Sequence, residues 1–274
     1  MTLLAVDDLR ISFPSRDGPV EVVRGVSFNL GRERLGIVGE SGSGKSQTGR
    51  ALLGLTPTTG TATAKRLEFD GIDLRRASAS QWRALRGTRM SMVMQDPKFS
   101  LNPVMTIGRQ LIEAARRTAS RAEARDRSIA MLEAVQIRDP ARVMAAYPHE
   151  LSGGMGQRAM IAMMLITEPD LLIADEPTSA LDVTVQIEVL RILDDLVTQR
   201  GMGLIFISHD LRLVSSFCDR VLVMYAGRVV EELAAADLSQ AQHPYTRGLM
   251  NCLPKIDGSA RPLPTLQRDE AWLL

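Results

Sequence analysis

The stretch that most restricts what this chain can fold into is Gly39-Glu40-Ser41-Gly42-Ser43-Gly44-Lys45-Ser46, which fits the pattern G-x-x-x-x-G-K-[ST]. In such a loop the glycines let successive backbone N–H groups turn inward on a phosphate chain. The lysine reaches the β- and γ-phosphates, and the last hydroxyl ligates Mg²⁺. The flanks supply the required context: Leu-Gly-Ile-Val at 35–38 reads as a buried strand and residues 47–55 read as a helix, so the phosphates sit at a helix N-terminus. A Gly/Ser turn beside an unrelated lysine is the plainer alternative. With 21 glycines and only 4 lysines in 274 residues the full pattern rarely arises by chance, and a nucleotide site is the preferred reading.

A chain of 274 residues with 45% hydrophobic content buries a full core and suits one large domain or a domain with an inserted subdomain. Thirty-three Lys+Arg against 32 Asp+Glu give no strong pull toward nucleic acid or an anionic membrane. The N-terminal stretch reaches Asp7 and Asp8 before it forms the apolar core of a signal peptide. No run approaches the roughly eighteen apolar residues that span a bilayer. The chain is therefore expected in the cytoplasm, with any membrane span supplied by other chains. Cys218 and Cys252 are single and distant, which argues against a metal site or a disulfide framework.

Along the chain, residues 9–13, 21–23 and 26–30 read as short antiparallel strands separated by turn residues such as Pro14 and Pro19. Periodicity alone makes Phe13 a core aromatic. Residues 66–69 and 72–74 flank Asp70-Gly71, a strong hairpin signal, so a small β subdomain is expected beside the loop. From 78 to 148 helical spacing dominates. Arg116, Arg117, Arg121, Arg125 and Arg127 are interleaved with Glu113, Glu123, Asp126 and Glu133, which reads as a solvated face and not a nucleic-acid patch. Residues 169–176 form an apolar strand ending in Asp175 and Glu176, and residues 203–209 form another ending in His209. Between them 182–200 is an amphipathic helix that buries Val185, Val189, Ile192, Leu193 and Leu196. Strand, helix, strand implies a parallel βαβ unit, whose ligands bind beyond the carboxyl ends of the strands. Residues 220–225 and 228–231 form a last hairpin around Ala226-Gly227, and the tail from 259, with Pro262 and Pro264, is expected to be partly loose.

A phosphate-binding loop needs a carboxylate to hold the Mg²⁺ shell, which Asp175 supplies, and Glu176 is placed to polarise an attacking water. On the residues alone His209 is equally a helix cap or a satisfied core residue, and Gln95 carries no signal. Leu151-Ser-Gly-Gly-Met-Gly-Gln-Arg158 is the outlier. Ser152 capping a helix that opens on Gly153 and Gly154 makes a second anion-binding end, or else an ordinary Ser-Gly-Gly turn.

Taken together, these motifs resemble the ATP-binding subunit of an ABC transporter from about Leu9 to Pro254. The phosphate-binding loop, Gln95 as the glutamine-loop residue, Leu151-Ser-Gly-Gly154 as the signature, Asp175-Glu176 as Walker B, Ser179-Ala-Leu-Asp182 as the D-loop and His209 as the switch histidine occur in the family's order. The resemblance implies that Phe13 stacks on adenine, that Gln95 joins the Mg²⁺ site and that Glu176, His209 and Gln95 serve catalysis. It also implies that residues 39–46 bind ATP together with Ser152, Gly153 and Gly154 of a second ATPase chain packed head to tail. Gln95-Asp-Pro-Lys-Phe-Ser-Leu-Asn-Pro103 and His243-Pro-Tyr-Thr-Arg247 are similar to the bacterial dipeptide, oligopeptide and nickel importer branch.

The expected fold is α/β: a P-loop NTPase core with a mixed sheet, an antiparallel β subdomain and an inserted α-helical subdomain. The boundaries are 1–77 with 149–235 for the core and β subdomain, 78–148 for the helical subdomain and 236–274 for a C-terminal helix and tail. The branch implies ATP with Mg²⁺, a second ATPase subunit, identical or not, two transmembrane permease subunits, an extracytoplasmic solute-binding protein, no nucleic acid, and a place on the cytoplasmic face of the bacterial inner membrane. Gly156 stands where an arginine is typical, at a cost of about 1 kcal/mol relative to alanine inside a helix. Gln47 replaces a frequent threonine, and the chain stops at Leu274 without the cysteine cluster of some longer relatives. An ATP-binding subunit of a phosphonate-degrading complex, a non-transport ABC ATPase acting on DNA or ribosomes, and a simple P-loop kinase are the alternatives; the last leaves the Ser152 helix unexplained.

Overall fold

The computed structural model describes residues 2–94, 100–178, 181–253, 269 and 272. The chain divides into two compact units, residues 1–76 with 206–274 and residues 77–205.

In the first unit, β1 (Leu4–Phe13) and β2 (Val20–Leu30) form a long antiparallel pair, Leu4 opposite Leu30 and Phe13 opposite Val20. Beyond β1 lie β4 (Thr61–Thr63), β5 (Arg66–Phe69) and β6 (Ile72–Asp73). Two long strands thus replace the short ones expected at 9–13, 21–23 and 26–30. Register shifts between Val6 and Leu9, between Leu9 and Arg10 and between Ile11 and Ser12 break the alternation without breaking the ladder. Asp8 (φ 50) and Gly25 (φ 82) take the left-handed conformations at this irregularity, and the Asp8 N–H donates to Ser27 Oγ at 2.8 Å. The Asp70-Gly71 turn forms as expected, with φ of 47 and 79.

The same unit holds β3 (Arg34–Val38), with β10 (Arg220–Tyr225) parallel to it and β11 (Arg228–Ala234) antiparallel to β10. The end of β9 (Gly203–Ile207) reaches β3, where the Ser208 N–H donates to the Ile37 carbonyl at 3.1 Å. Three helices complete it: α1 (Lys45–Leu52), α8 (Leu211–Phe217) and α9 (Pro244–Asn251). Helix α1 stops short of the expected residue 55 because Gly54 turns left-handed at φ 60. Where α8 crosses β3, a Cβ on Gly36 would lie 2.4 Å from Val214 Cγ1 and 3.2 Å from Cys218 Sγ. Burial, with a smaller contribution from the Asp219 carboxylate, pushes the Cys218 thiol up to about 12.

In the second unit, β7 (Met90–Val93) pairs in parallel with β8 (Leu171–Asp175), and the Gly203 N–H donates to Asp170 O at 2.8 Å where β9 begins beside β8. Around them stand α2 (Ala79–Leu85), α3 (Ile107–Ala115), α4 (Arg121–Ala134), α5 (Pro140–Ala145), α6 (Gly153–Leu165) and α7 (Val183–Arg200). Their starts are written in the sequence: Ser78, Thr106, Ser120, Asp139, Ser152 and Asp182 each cap a helix through the side-chain oxygen.

Strand β7 is the correction here, since 78–148 was read as helical. Its four residues are buried throughout, and so short an apolar run shows neither period. Val189, Ile192 and Leu193 of α7 are buried as expected, joined by Leu190 and Val197, whereas Val185 and Leu196 are half-buried. On α4, Arg127 pairs with Glu123 at 2.7 Å, in keeping with a solvated face. Among the described residues no helix is long and apolar enough to cross a membrane. The fold is α/β, with a mixed sheet, an antiparallel sheet and a helical segment.

Two outcomes are expected. Gly36→Ala costs about 1–3 kcal/mol of stability by overpacking, read by chemical denaturation. In the native protein Cys218, buried with its thiol held protonated, resists iodoacetamide at pH 8 while the half-buried Cys252 reacts, and both are alkylated after unfolding. Equal native rates would contradict the packing of α8 on β3.

Candidate active site

The loop expected to hold phosphate lies in the first unit. Strand β3 ends at Val38, and the chain passes through residues 39–44 into α1. Gly44, the N-cap, is left-handed at φ 97, and a Cβ there would lie 2.7 Å from the Val22 carbonyl. A Cβ on Gly39 would fall 2.1 Å from the Met224 carbonyl and 2.8 Å from Ser43 Oγ. Backbone pressed this closely against backbone tolerates only hydrogen at those positions. The loop is further fastened by Ser43 N–H to Glu40 O at 3.2 Å and Gly227 N–H to Ser43 O at 3.1 Å. Ser41 and Gly42 are exposed, and Ser46, in the first turn of α1, is half-buried. Gln47 keeps its Oε1 buried without a hydrogen-bond partner.

Lys45 is the chemical centre of the loop. It is only 6% exposed, and its ammonium donates to Gly39 O at 2.8 Å, Glu40 O at 2.9 Å and Ser43 Oγ at 3.4 Å. Buried ammonium groups require such partners, and here the loop supplies them from its own main chain.

Phe13, at the end of β1, is half-buried, so the core role suggested by periodicity does not hold. Its ring lies on Gly60, where a Cβ would come within 2.5 Å of Cε1. His209 follows β9 and is exposed. The capping role open to it belongs to its neighbour, because Asp210 Oδ1 accepts from the N–H groups of Arg212 at 2.9 Å and Leu213 at 3.2 Å. As β9 and β3 are neighbours at Ser208 and Ile37, His209 and the phosphate-binding loop leave adjacent strand ends in this unit.

The acidic pair lies in the second unit. Asp175 closes β8 and is 4% exposed. Glu176, half-buried, has φ 47, a left-handed conformation that a non-glycine residue adopts only when its surroundings impose it. One constraint on this turn comes from Gln157 of α6, 1% exposed, whose Nε2 donates to the Pro177 carbonyl at 2.5 Å. Gln157 escaped the sequence reading; the available signal was an amide, beside Arg158, at the head of an otherwise apolar helical run.

At the start of α6, Ser152 Oγ accepts from the Met155 N–H at 3.4 Å, and a Cβ on Gly153 would meet nothing within 4 Å. The helix end is open at Gly153, while Gly154 faces Val185 at 3.5 Å. Arg158, near the middle of α6, pairs with Glu188 of α7 at 2.9 Å. Gly156 is buried within α6, its N–H donating to Ser152 O at 2.9 Å, so the helix continues through it. Gln95, Ser179 and Ala180 lie outside the described residues; Asp182 caps α7 through the Val185 N–H at 3.0 Å.

The profile of the family described as ABC transporter matches residues 23–179. The chain is 49% identical over 257 residues to a probable peptide ABC transporter ATP-binding protein of Sinorhizobium fredii, covering 92% of this chain and 77% of that one. It is 46% identical to the oligopeptide transport ATP-binding protein OppD of Salmonella typhimurium, over 99% of this chain and 82% of the relative. Among solved structures, the ATP-binding cassette MJ0796 in a dimeric post-hydrolysis state bound to ADP and Pi superposes with a TM-score of 0.77 at 24% identity, covering 85% of this chain and 98% of that one. At that identity the likeness speaks for the fold.

Removing the ammonium tests the loop directly. Lys45→Ala is expected to weaken binding of a nucleoside triphosphate by about 10- to 100-fold, the worth of one or more hydrogen bonds to a charged group. Gly44→Ala should weaken it as well, through its collision with Val22. Titration calorimetry on the folded variants reads both, and wild-type affinity in Lys45→Ala would remove the loop from the site.

Proposed function

This chain belongs to the ABC transporter family, and we propose that it is the ATP-binding and ATP-hydrolysing subunit that powers import of peptides or a related small solute. The observation that carries the reading is the buried Lys45 ammonium held by main-chain carbonyl acceptors of the loop that precedes it. It occurs in a chain whose relatives are named as peptide and oligopeptide transport ATP-binding proteins.

In this reading the N–H groups of residues 41–46 and the Lys45 ammonium neutralise the phosphates, with the free end of α1 adding its partial positive charge. Phe13, resting on Gly60, presents its open side to the adenine. The donor set fits Mg²⁺, a hard cation that takes oxygen ligands: the Ser46 hydroxyl and the buried Asp175 carboxylate would hold it, with Gln95. Once bound, the ion offsets the negative charge of the phosphate oxygens. Glu176 accepts a proton from the attacking water and directs it at the γ-phosphorus, and the imposed backbone at this residue serves to aim the carboxylate. His209 donates toward the γ-phosphate.

Each chain carries a second anion-binding helix end, Ser152 to Gly154 on α6, in addition to the loop. Two chains facing head to tail put that end of one against the γ-phosphate held by the other, which gives the surplus site its purpose. Two permease subunits and an extracytoplasmic solute-binding protein complete the importer. The ATPase then sits peripherally on the cytoplasmic face of the membrane. Its working parts divide into a core and β subdomain (1–77 and 149–235), a helical subdomain (78–148) and a C-terminal segment (236–274).

In the reconstituted complex, Glu176→Gln is expected to bind ATP with unchanged affinity and to lose turnover by about 100-fold or more, the usual worth of a positioned general base. Undiminished phosphate release would reject the assignment. A chain shown to stay monomeric during the assay should bind ATP yet hydrolyse it poorly; full turnover by that monomer would defeat the shared site.

A further inference from the structure

The His243-Pro-Tyr-Thr-Arg247 stretch plays no part in the mechanism above, and its placement assigns it one. His243 caps α9, its Nδ1 accepting from the Tyr245 N–H at 3.2 Å, and Pro244 occupies the first turn. The start of the helix is tied down from β11: Glu231 Oε1 accepts from the N–H of Gln242 at 2.6 Å and of His243 at 3.2 Å. Tyr245 is wholly buried. Its ring packs on Tyr225 of β10 at 4.5 Å between centroids and on Trp272 at 5.8 Å, and Tyr225 and Trp272 meet edge-on at 5.7 Å. The hydroxyl at the end of this buried ring accepts from the backbone N–H of Glu40 at 3.0 Å.

Glu40 is the second residue of the phosphate-binding loop, and its N–H belongs to the same peptide plane as the Gly39 carbonyl. That carbonyl accepts from Lys45 Nζ at 2.8 Å. The plane is therefore gripped at both ends, by the tyrosine hydroxyl on the nitrogen side and by the lysine ammonium on the oxygen side. A rotation of this peptide would strand the N–H and withdraw a partner from the ammonium in one movement. The hydroxyl cannot drift, because two aromatic rings, Tyr225 and Trp272, and a capped helix anchored to β11 fix the Tyr245 ring.

We propose that Tyr245 is a positioning residue for ATP binding, and that α9 is a strut holding the Gly39–Glu40 peptide, and through it Lys45, in the orientation that receives the phosphates. The inference rests on the nucleotide site proposed above. Without the hydroxyl the loop spends part of its time with the peptide turned, and apparent affinity falls by the fraction that remains competent. Tyr245→Phe keeps the ring and its packing and removes only the hydroxyl. It is expected to raise the Kd for Mg·ATP about tenfold and to raise KM for ATP in the reconstituted complex similarly, while kcat at saturating ATP stays near wild type because Glu176 is untouched.

Calorimetry with Mg·ATP on the full chain compares wild type, Tyr245→Phe, Lys45→Ala and Tyr225→Phe, with melting temperature recorded for each. Tyr225→Phe keeps the ring that packs on Tyr245 and leaves the Tyr245 hydroxyl in place, and should bind ATP within about twofold of wild type. An unchanged Kd in Tyr245→Phe overturns the strut, whether or not its melting temperature drops, while wild-type binding and its loss in Lys45→Ala keep the nucleotide site standing. Failure of the wild type itself to bind would instead strike the proposed function. Hydrogen exchange in the wild type needs no variant: the Glu40 amide should be protected far beyond the amide of exposed Ser41, and exchange at an open-loop rate would overturn the proposal.

Discussion

A single charge that cannot be left alone organises this protein. Lys45 is almost wholly buried, and an ammonium away from water needs acceptors. The loop before it provides them by bending the carbonyls of Gly39 and Glu40 back onto the side chain. That bend brings main chain within contact of Met224 on β10 and Val22 on β2, which is why Gly39 and Gly44 have no room for a side chain. The hairpin of β10 and β11 then closes over the loop through Gly227. Much of the first unit serves to keep one ammonium desolvated and paired.

The second unit solves a different problem by similar means. In the proposed function the Glu176 carboxylate has to face a water, and the constraint at this residue lies in the backbone, which adopts a conformation this residue type avoids when free. Gln157 helps to hold that turn from the helix that begins at Ser152. Helix α6 thus touches the acidic turn with its body and offers an open N-terminus with its end.

Much of this was legible in the chain itself. The caps at Ser78, Thr106, Ser120, Asp139, Ser152 and Asp182 are local hydrogen bonds between neighbours in sequence, and each stands where a helix starts. The Asp70-Gly71 turn and the apolar strands ending at Asp175 and Ile207 follow equally from short-range chemistry. What failed were features without a local signature. The register shifts between β1 and β2 shortened the one and disguised the other as two short strands, and β7 was four buried residues whose pairing with β8 depends on residues some eighty positions away.

The sequence by itself determined the phosphate-binding loop, the acidic pair and the second capped helix end, because each is a run of adjacent residues whose chemistry and backbone freedom are set by their own types. Tertiary structure alone decided which side chains stabilise those runs. Phe13 rests on Gly60 and not in the core, Asp210 takes the cap that His209 was free to take, Gln157 meets Pro177, and Tyr245 reaches the N–H of Glu40. These partners lie from one to some two hundred positions away from what they support. Their choice depends on how strands and helices pack, a matter of distance in space on which the spacing of residues along the chain is silent.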